Sequence, residues 1–291
     1  MFNASDVKNL REKTGAGMLD CKKALEACEG NLDKAVDWLR EKGIAKAAKK
    51  TDRIAAEGLS DIFINGNKAL VLEINSETDF VAKNEEFNSF VKTVGEAILN
   101  SDAETVEDAN KLLVNGETIE NMVIAITSKI GEKISIRRFK TIIKNDDEVF
   151  GSYIHMGGRI ASLVLVSGNN EKVAREVAMH AAAMRPLYVN ESEVPEDILE
   201  KEKNVMRQEL LNEGKPADKI ENILVGKVRK YYEDVCLENQ IFVKAENKET
   251  VGKYLENNGA KLITMIRFEV GEGIEKRQDN FAEEVMNQVN G

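Results

Sequence analysis

The stretch Leu59-Ser60-Asp61-Ile62-Phe63-Ile64-Asn65-Gly66-Asn67-Lys68-Ala69-Leu70-Val71-Leu72-Glu73-Ile74 decides the fold class. Two apolar runs flank Asn65-Gly66, the dipeptide best able to take the two positive-φ positions of a tight hairpin turn. Strands are therefore expected over 59–64 and 68–74. The pattern returns at Val149–His155 and Arg159–Ser167, which flank Gly157-Gly158. A helical stripe follows each hairpin: Val81, Phe87, Phe90, Val91, Val94 and Ile98 in the first copy, and Glu171–Met184 in the second. Closing strands are expected at Lys133–Lys140 and Lys261–Val270. Ile134-Ser135-Ile136-Arg137-Arg138-Phe139 is similar to Ile263-Thr264-Met265-Ile266-Arg267-Phe268. The expected fold is α+β, with two related subdomains.

The two copies differ in length. Their turns, at 66 and 157, lie 91 residues apart, whereas Phe139 and Phe268 lie 129 apart. The surplus of 38 residues marks an insertion in the second copy. All three prolines, Pro186, Pro195 and Pro216, fall in it. Glu196–Asn212 and Ala217–Glu233 read as two charged helices joined by Gly214-Lys215-Pro216, an antiparallel hairpin. A projecting hairpin cannot bury both faces internally, which makes it a candidate surface for a partner or for self-association. Folding back on its own domain is the alternative.

Residues 1–54 read differently. They carry 12 Lys+Arg against 9 Asp+Glu, or +3, while the remainder carries 29 against 42, or -13. Three short helices are expected. The first ends at Thr14-Gly15-Ala16-Gly17. The second carries Cys21, Leu25 and Cys28 on one face, and the third runs from Asn31 to Gly43. Ile44–Arg53 suits a helical or semi-rigid linker. Shorter helices are expected near Val106–Val114 and Ile119–Lys129. The domain expectation is 1–54 as a helical head, 55–141 as a first core subdomain, and 142–270 as a second with the inserted hairpin at about 190–235. The remaining segment, 271–291, is a C-terminal module whose helix carries Phe281, Val285 and Val289.

Several function classes fall away. The chain has 291 residues and a net charge of -10, which disfavours binding along a nucleic-acid backbone. Its apolar runs are far shorter than the ~20 residues of a membrane span, and no secretory start is visible. A cytoplasmic protein with reduced thiols is expected, because Cys21, Cys28 and Cys236 show neither a disulfide framework nor zinc spacing. No phosphate-binding loop is present, and His155 and His180 lack metal spacing. His180 shares a stripe with Val173, Val177 and Met184 and reads as a core residue. His155 reads as an exposed residue at a hairpin tip. Nothing singles out an acid–base pair.

Ser76-Glu77-Thr78-Asp79-Phe80-Val81 sets an acidic residue beside a large aromatic one where a strand meets a helix. Read from physics alone, Thr78 or Asp79 caps the helix and Phe80 packs inward as a staple.

The run from Leu10-Arg11-Glu12-Lys13-Thr14-Gly15-Ala16-Gly17-Met18-Leu19-Asp20-Cys21 to Lys22-Lys23-Ala24-Leu25 resembles the N-terminal signature of the bacterial elongation factor Ts family. Glu73-Ile74-Asn75-Ser76-Glu77-Thr78-Asp79-Phe80-Val81-Ala82-Lys83 resembles its second signature. Further similarity runs through Lys129-Ile130-Gly131-Glu132, Gly151-Ser152-Tyr153, Ala178-Met179-His180 and Ile266–Lys276, so it spans essentially the whole chain.

The resemblance implies a ubiquitin-associated-like three-helix head, two related α+β subdomains, an inserted helical hairpin and a C-terminal module. It implies a guanine-nucleotide exchange factor for elongation factor Tu, with no catalytic site and no cofactor of its own. Thr78, Asp79, Phe80 and Val81 would intrude near the partner's nucleotide site and dislodge magnesium. Met18, Leu19, Lys22 and Lys23 would face the partner's nucleotide-binding domain, Ile130 and Gly131 would extend that contact, and His155 would reach another partner domain. Binding without exchange, as a pure interaction module, is the rival reading. An enzyme with its own nucleotide or metal site is a third.

Overall fold

The computed structural model describes residues 2–14 and 16–275. The expected C-terminal helix at Phe281, Val285 and Val289 lies outside the described residues. The protein is mixed helix and sheet and begins with three helices: α1 (Ala4–Thr14), α2 (Met18–Ala27) and α3 (Leu32–Ala48). Val7, Leu10, Cys21, Ala24, Leu25 and Ala35 form their shared core. Asn31 caps α3 by accepting from the Lys34 N–H at 3.0 Å.

Helix α3 does not stop at Gly43 but continues to Ala48. Gly43 is buried, and a Cβ there would lie 3.7 Å from the Ser128 side chain. The glycine therefore sits at a helix–helix packing contact, and packing overrides its weak helix propensity.

The first hairpin is β1 (Glu57–Asn65) and β2 (Lys68–Ser76). A four-residue helix, α4 (Asp79–Ala82), and a longer one, α5 (Glu85–Leu99), follow. Next come α6 (Val106–Lys111), a small hairpin of β3 (Leu113–Val114) and β4 (Glu117–Thr118), then α7 (Ile119–Ile130) and β5 (Ser135–Ile143). The sixth helix thus ends earlier than Val114, because Asn115 and Gly116 take φ of 52° and 85° and turn the chain back. The sheet order is β1-β2-β5.

The second half runs β6 (Glu148–His155), β7 (Ile160–Ser167), α8 (Glu171–Met184), α9 (Glu196–Asn212), α10 (Ala217–Val235), α11 (Val251–Asn257) and β8 (Leu262–Glu269). Its sheet is antiparallel, in order β6-β7-β8, with Leu163 opposite Ile266. In each three-stranded sheet the central strand carries the continuous apolar run, Ala69–Leu72 in β2 and Ala161–Val166 in β7. These runs are buried on both faces.

The described residues divide into two compact units: one of residues 2–14, 16–59, 73–139 and 270–275, the other of 60–72 and 140–269. In the second unit, Ala69, Val71, Ala161, Leu163, Ile266 and Phe268 form one core cluster. A separate cluster joins α8 to β7, β8 and α11 through Val164, Val166, Val177, Ala181, Leu255 and Leu262. Helix α8 approaches β6 so closely that a Cβ on Gly151 would lie 2.1 Å from the Ala174 carbonyl oxygen. The α9–α10 hairpin is tied by Arg207–Glu221 and Lys227–Glu209 pairs, both at 2.9 Å. Leu210, Ile220 and Leu224 are buried there, while Val205, Leu211 and Val225 are exposed.

Candidate functional site

Strand β2 delivers the chain to the Thr78–Val81 turn. Ser76 Oγ donates to the Thr78 carbonyl at 2.9 Å, which bends the backbone out of the sheet. Thr78 occupies the N-cap position of α4, but its side chain makes no cap bond. Its hydroxyl donates instead to Glu132 Oε1 at 2.7 Å. The other oxygen of Glu132 accepts the backbone N–H of Thr78 at 2.9 Å and of Glu77 at 3.1 Å. Glu77 returns the contact, accepting the Lys133 N–H at 2.6 Å. Arg53 adds a 3.3 Å ion pair to Glu77.

Phe80 does not pack inward: it is 77% exposed, against 6% for its neighbour Val81. Val81 anchors the turn and Phe80 is displayed by it. Lys83 lies 5.9 Å from the centroid of the Phe80 ring and bonds Asp79 Oδ2 at 3.0 Å. Asn84 then caps α5, accepting from the N–H groups of Glu86 and Phe87 at 2.8 and 3.2 Å.

Met18 and Leu19 occupy the first turn of α2 and are exposed at 54% and 74%. Lys22 and Lys23 are exposed beside them, Lys22 in a 3.8 Å pair with Glu26. The opposite face of α2, Cys21, Ala24 and Leu25, is buried. Ile130 ends α7 partly buried, and Gly131 is its left-handed cap at φ 88°. That turn brings Glu132 to Thr78, so the Ile130-Gly131 corner and the Thr78–Val81 turn are joined within the first unit.

His155 belongs to the second unit. It is exposed at the β6–β7 tip, its ring stacked on Tyr153 at 5.9 Å between centroids. His180, by contrast, is fully buried. Its Nδ1 accepts the Val243 N–H at 3.1 Å, and its Nε2 lies 3.0 Å from Gln240 Oε1. Both nitrogens are satisfied in the neutral ring, and burial pushes its pKa below the ordinary value of 6.5. The Cys236 thiol is buried, its pKa pushed up to about 11 by burial and by nearby Glu191, Glu193 and Glu238. It is a packing residue in its present setting.

Among the described residues, no group of three or more His, Cys, Asp or Glu side chains could hold a metal ion. No helix among them is long and apolar enough to cross a membrane. The residues sequence reasoning missed are Glu132 and Glu77. Their partners lie 54 to 56 positions away, so no local spacing announces them.

The fold and site define a mixed α+β protein with a three-helix N-terminal region, which displays large apolar side chains on firmly held turns. Residues 77–272 match the family Elongation factor TS, and the chain belongs to that family. Membership implies a translation elongation factor that promotes nucleotide exchange on elongation factor Tu, rather than an enzyme with its own substrate.

Proposed function

We propose that this chain binds GDP-loaded elongation factor Tu, dislodges the magnesium ion, releases GDP and so allows GTP to load. The observation that carries this reading is the display of Phe80, 77% exposed on a turn whose neighbour Val81 is buried. Phe80 is the wedge, and Asp79 beside it holds the displaced arrangement in the partner. Met18, Leu19, Lys22 and Lys23 bind the partner's nucleotide-binding domain, with Ile130 and Gly131 extending that contact. His155 at the hairpin tip reaches a further partner domain. In this reading residues 1–54 act as a ubiquitin-associated-like docking head on the two-subdomain core.

The energetics require no contact with the nucleotide. GDP on a GTPase of this kind is held by backbone N–H groups, a lysine and bridging magnesium. A factor that binds the nucleotide-free partner better than the GDP-bound one weakens GDP by the same free energy by which GDP weakens the factor. Moving such an equilibrium from 1:99 to 99:1 takes about 5.5 kcal/mol of differential affinity. Burying one phenylalanine supplies about 1.5–3 kcal/mol. The wedge is thus a large share, and the exposed Met18 and Leu19 contribute to the rest.

The test is release of labelled GDP from elongation factor Tu at substoichiometric amounts of this protein. Exchange predicts many turnovers per molecule added. A protein that merely holds its partner gives at most one, and that result would reject the proposal.

A further inference from the structure

We propose that Glu132 is a positioning residue for nucleotide exchange, resting on the wedge reading of Phe80: it holds the Thr78–Val81 turn in the conformation that displays the ring. Helix α4 has only four residues, too few to hold its shape unaided. A phenylalanine on such a turn has every incentive to collapse onto nearby apolar surface. What opposes collapse is a two-way exchange of side-chain-to-backbone bonds between residues 77–78 and 132–133.

Glu132 receives two of these bonds, from backbone N–H groups at 2.9 and 3.1 Å, and accepts the Thr78 hydroxyl as well at 2.7 Å. Glu77 receives the N–H of Lys133 at 2.6 Å in return. Bonds to a carboxylate are stronger than neutral ones, and both carboxylates hold main-chain N–H groups directly. Gly131, at φ 88°, supplies the left-handed step that aims Glu132 at the turn. The Thr78 hydroxyl, left without a capping role, is accounted for as a ligand of this clamp.

The test uses full-length protein and stopped-flow release of fluorescent GDP from elongation factor Tu. Glu132→Ala should slow release about tenfold or more, the scale of one charge-assisted hydrogen bond. In a Phe80→Ala background the same substitution should add less than about twofold, because residues acting through one another are not additive. Equal slowing in both backgrounds, or no slowing with Phe80 present, would overturn the assignment. Thr78→Val, which keeps the shape but loses the hydroxyl, should slow release, and Thr78→Ser should restore it. Failure of serine to restore the rate would also overturn it. If Phe80→Ala alone leaves release unchanged, the wedge reading fails first and this assignment with it. A fast Glu132→Ala beside a slow Phe80→Ala removes only the clamp.

Discussion

Nε of Arg138 donates to Oε2 of Glu73 at 2.6 Å, and Glu73 is fully buried in the middle of β2. Its other oxygen accepts Arg137 Nη1 and the Gly271 N–H, both at 2.9 Å, and Asn75 Nδ2 at 3.2 Å. One carboxylate thus ties β2 to β5 and to the chain after β8, five residues before the Thr78–Val81 turn.

Glu73→Ala should destabilise the protein by about 3–5 kcal/mol, the scale of breaking a buried ion pair by removing one partner. The lower end is expected, because the two arginine side chains are 23% and 31% exposed and can turn to water. The Gly271 N–H has no such escape. Urea titration measures the loss; a change under about 1 kcal/mol would contradict the hub.

Two glycines should respond to alanine in opposite directions. On Gly151 the new Cβ meets the Ala174 carbonyl at 2.1 Å, a backbone atom that moves only if α8 moves. Destabilisation of about 3 kcal/mol or more is expected. On Gly226, exposed within α10, a Cβ meets nothing within 4 Å. There alanine should stabilise by about 0.5–1 kcal/mol. Thermal unfolding of the two variants, compared with the parent, checks both signs.

His180 should make stability depend on pH. Its folded pKa is lowered, so the unfolded chain protonates first as pH falls. The stabilisation is complete above the ordinary value of 6.5 and is lost as pH falls from there through the depressed folded value. Melting temperature measured from pH 8 to pH 5 should therefore fall more steeply in the parent than in His180→Gln. Parallel curves would show that the ring is not the titrating group.

Met18 and Leu19 should matter for binding and not for folding. Both are more than half exposed while the opposite face of α2 is buried. A Met18→Ala, Leu19→Ala double variant should keep the parent melting temperature. It should bind elongation factor Tu about tenfold or more weakly, as truncating apolar anchors at an interface does. Calorimetric titration separates the two effects.

Much of this architecture was legible in the sequence because it rests on local chemistry. The first hairpin and both its strands were legible, but its turn falls one residue later than expected: Asn65 ends β1, and Gly66-Asn67 makes the turn with only Gly66 at positive φ, 58°. Helix α8 could be bounded at Glu171 and Met184 by its apolar period. The misreadings have physical causes. Gly43 looked like a helix end, but packing against Ser128 carries α3 past it. Leu112, Leu113 and Val114 looked like a helix continuing, when Asn115-Gly116 instead makes a second, very short hairpin. At the candidate site, physics read Phe80 as a staple and only the resemblance drew it outward. The Glu132 clamp joins positions 54 apart, a distance at which neither period nor motif carries information.

The most direct test of the central claim is stopped-flow GDP release from elongation factor Tu driven by a Phe80→Ala, Asp79→Ala double variant, set beside its affinity for the nucleotide-free partner. The account predicts release slowed by about tenfold or more, the rate equivalent of losing one buried side chain's worth of differential binding, with affinity reduced far less. A double variant that releases GDP at the parent rate would contradict it.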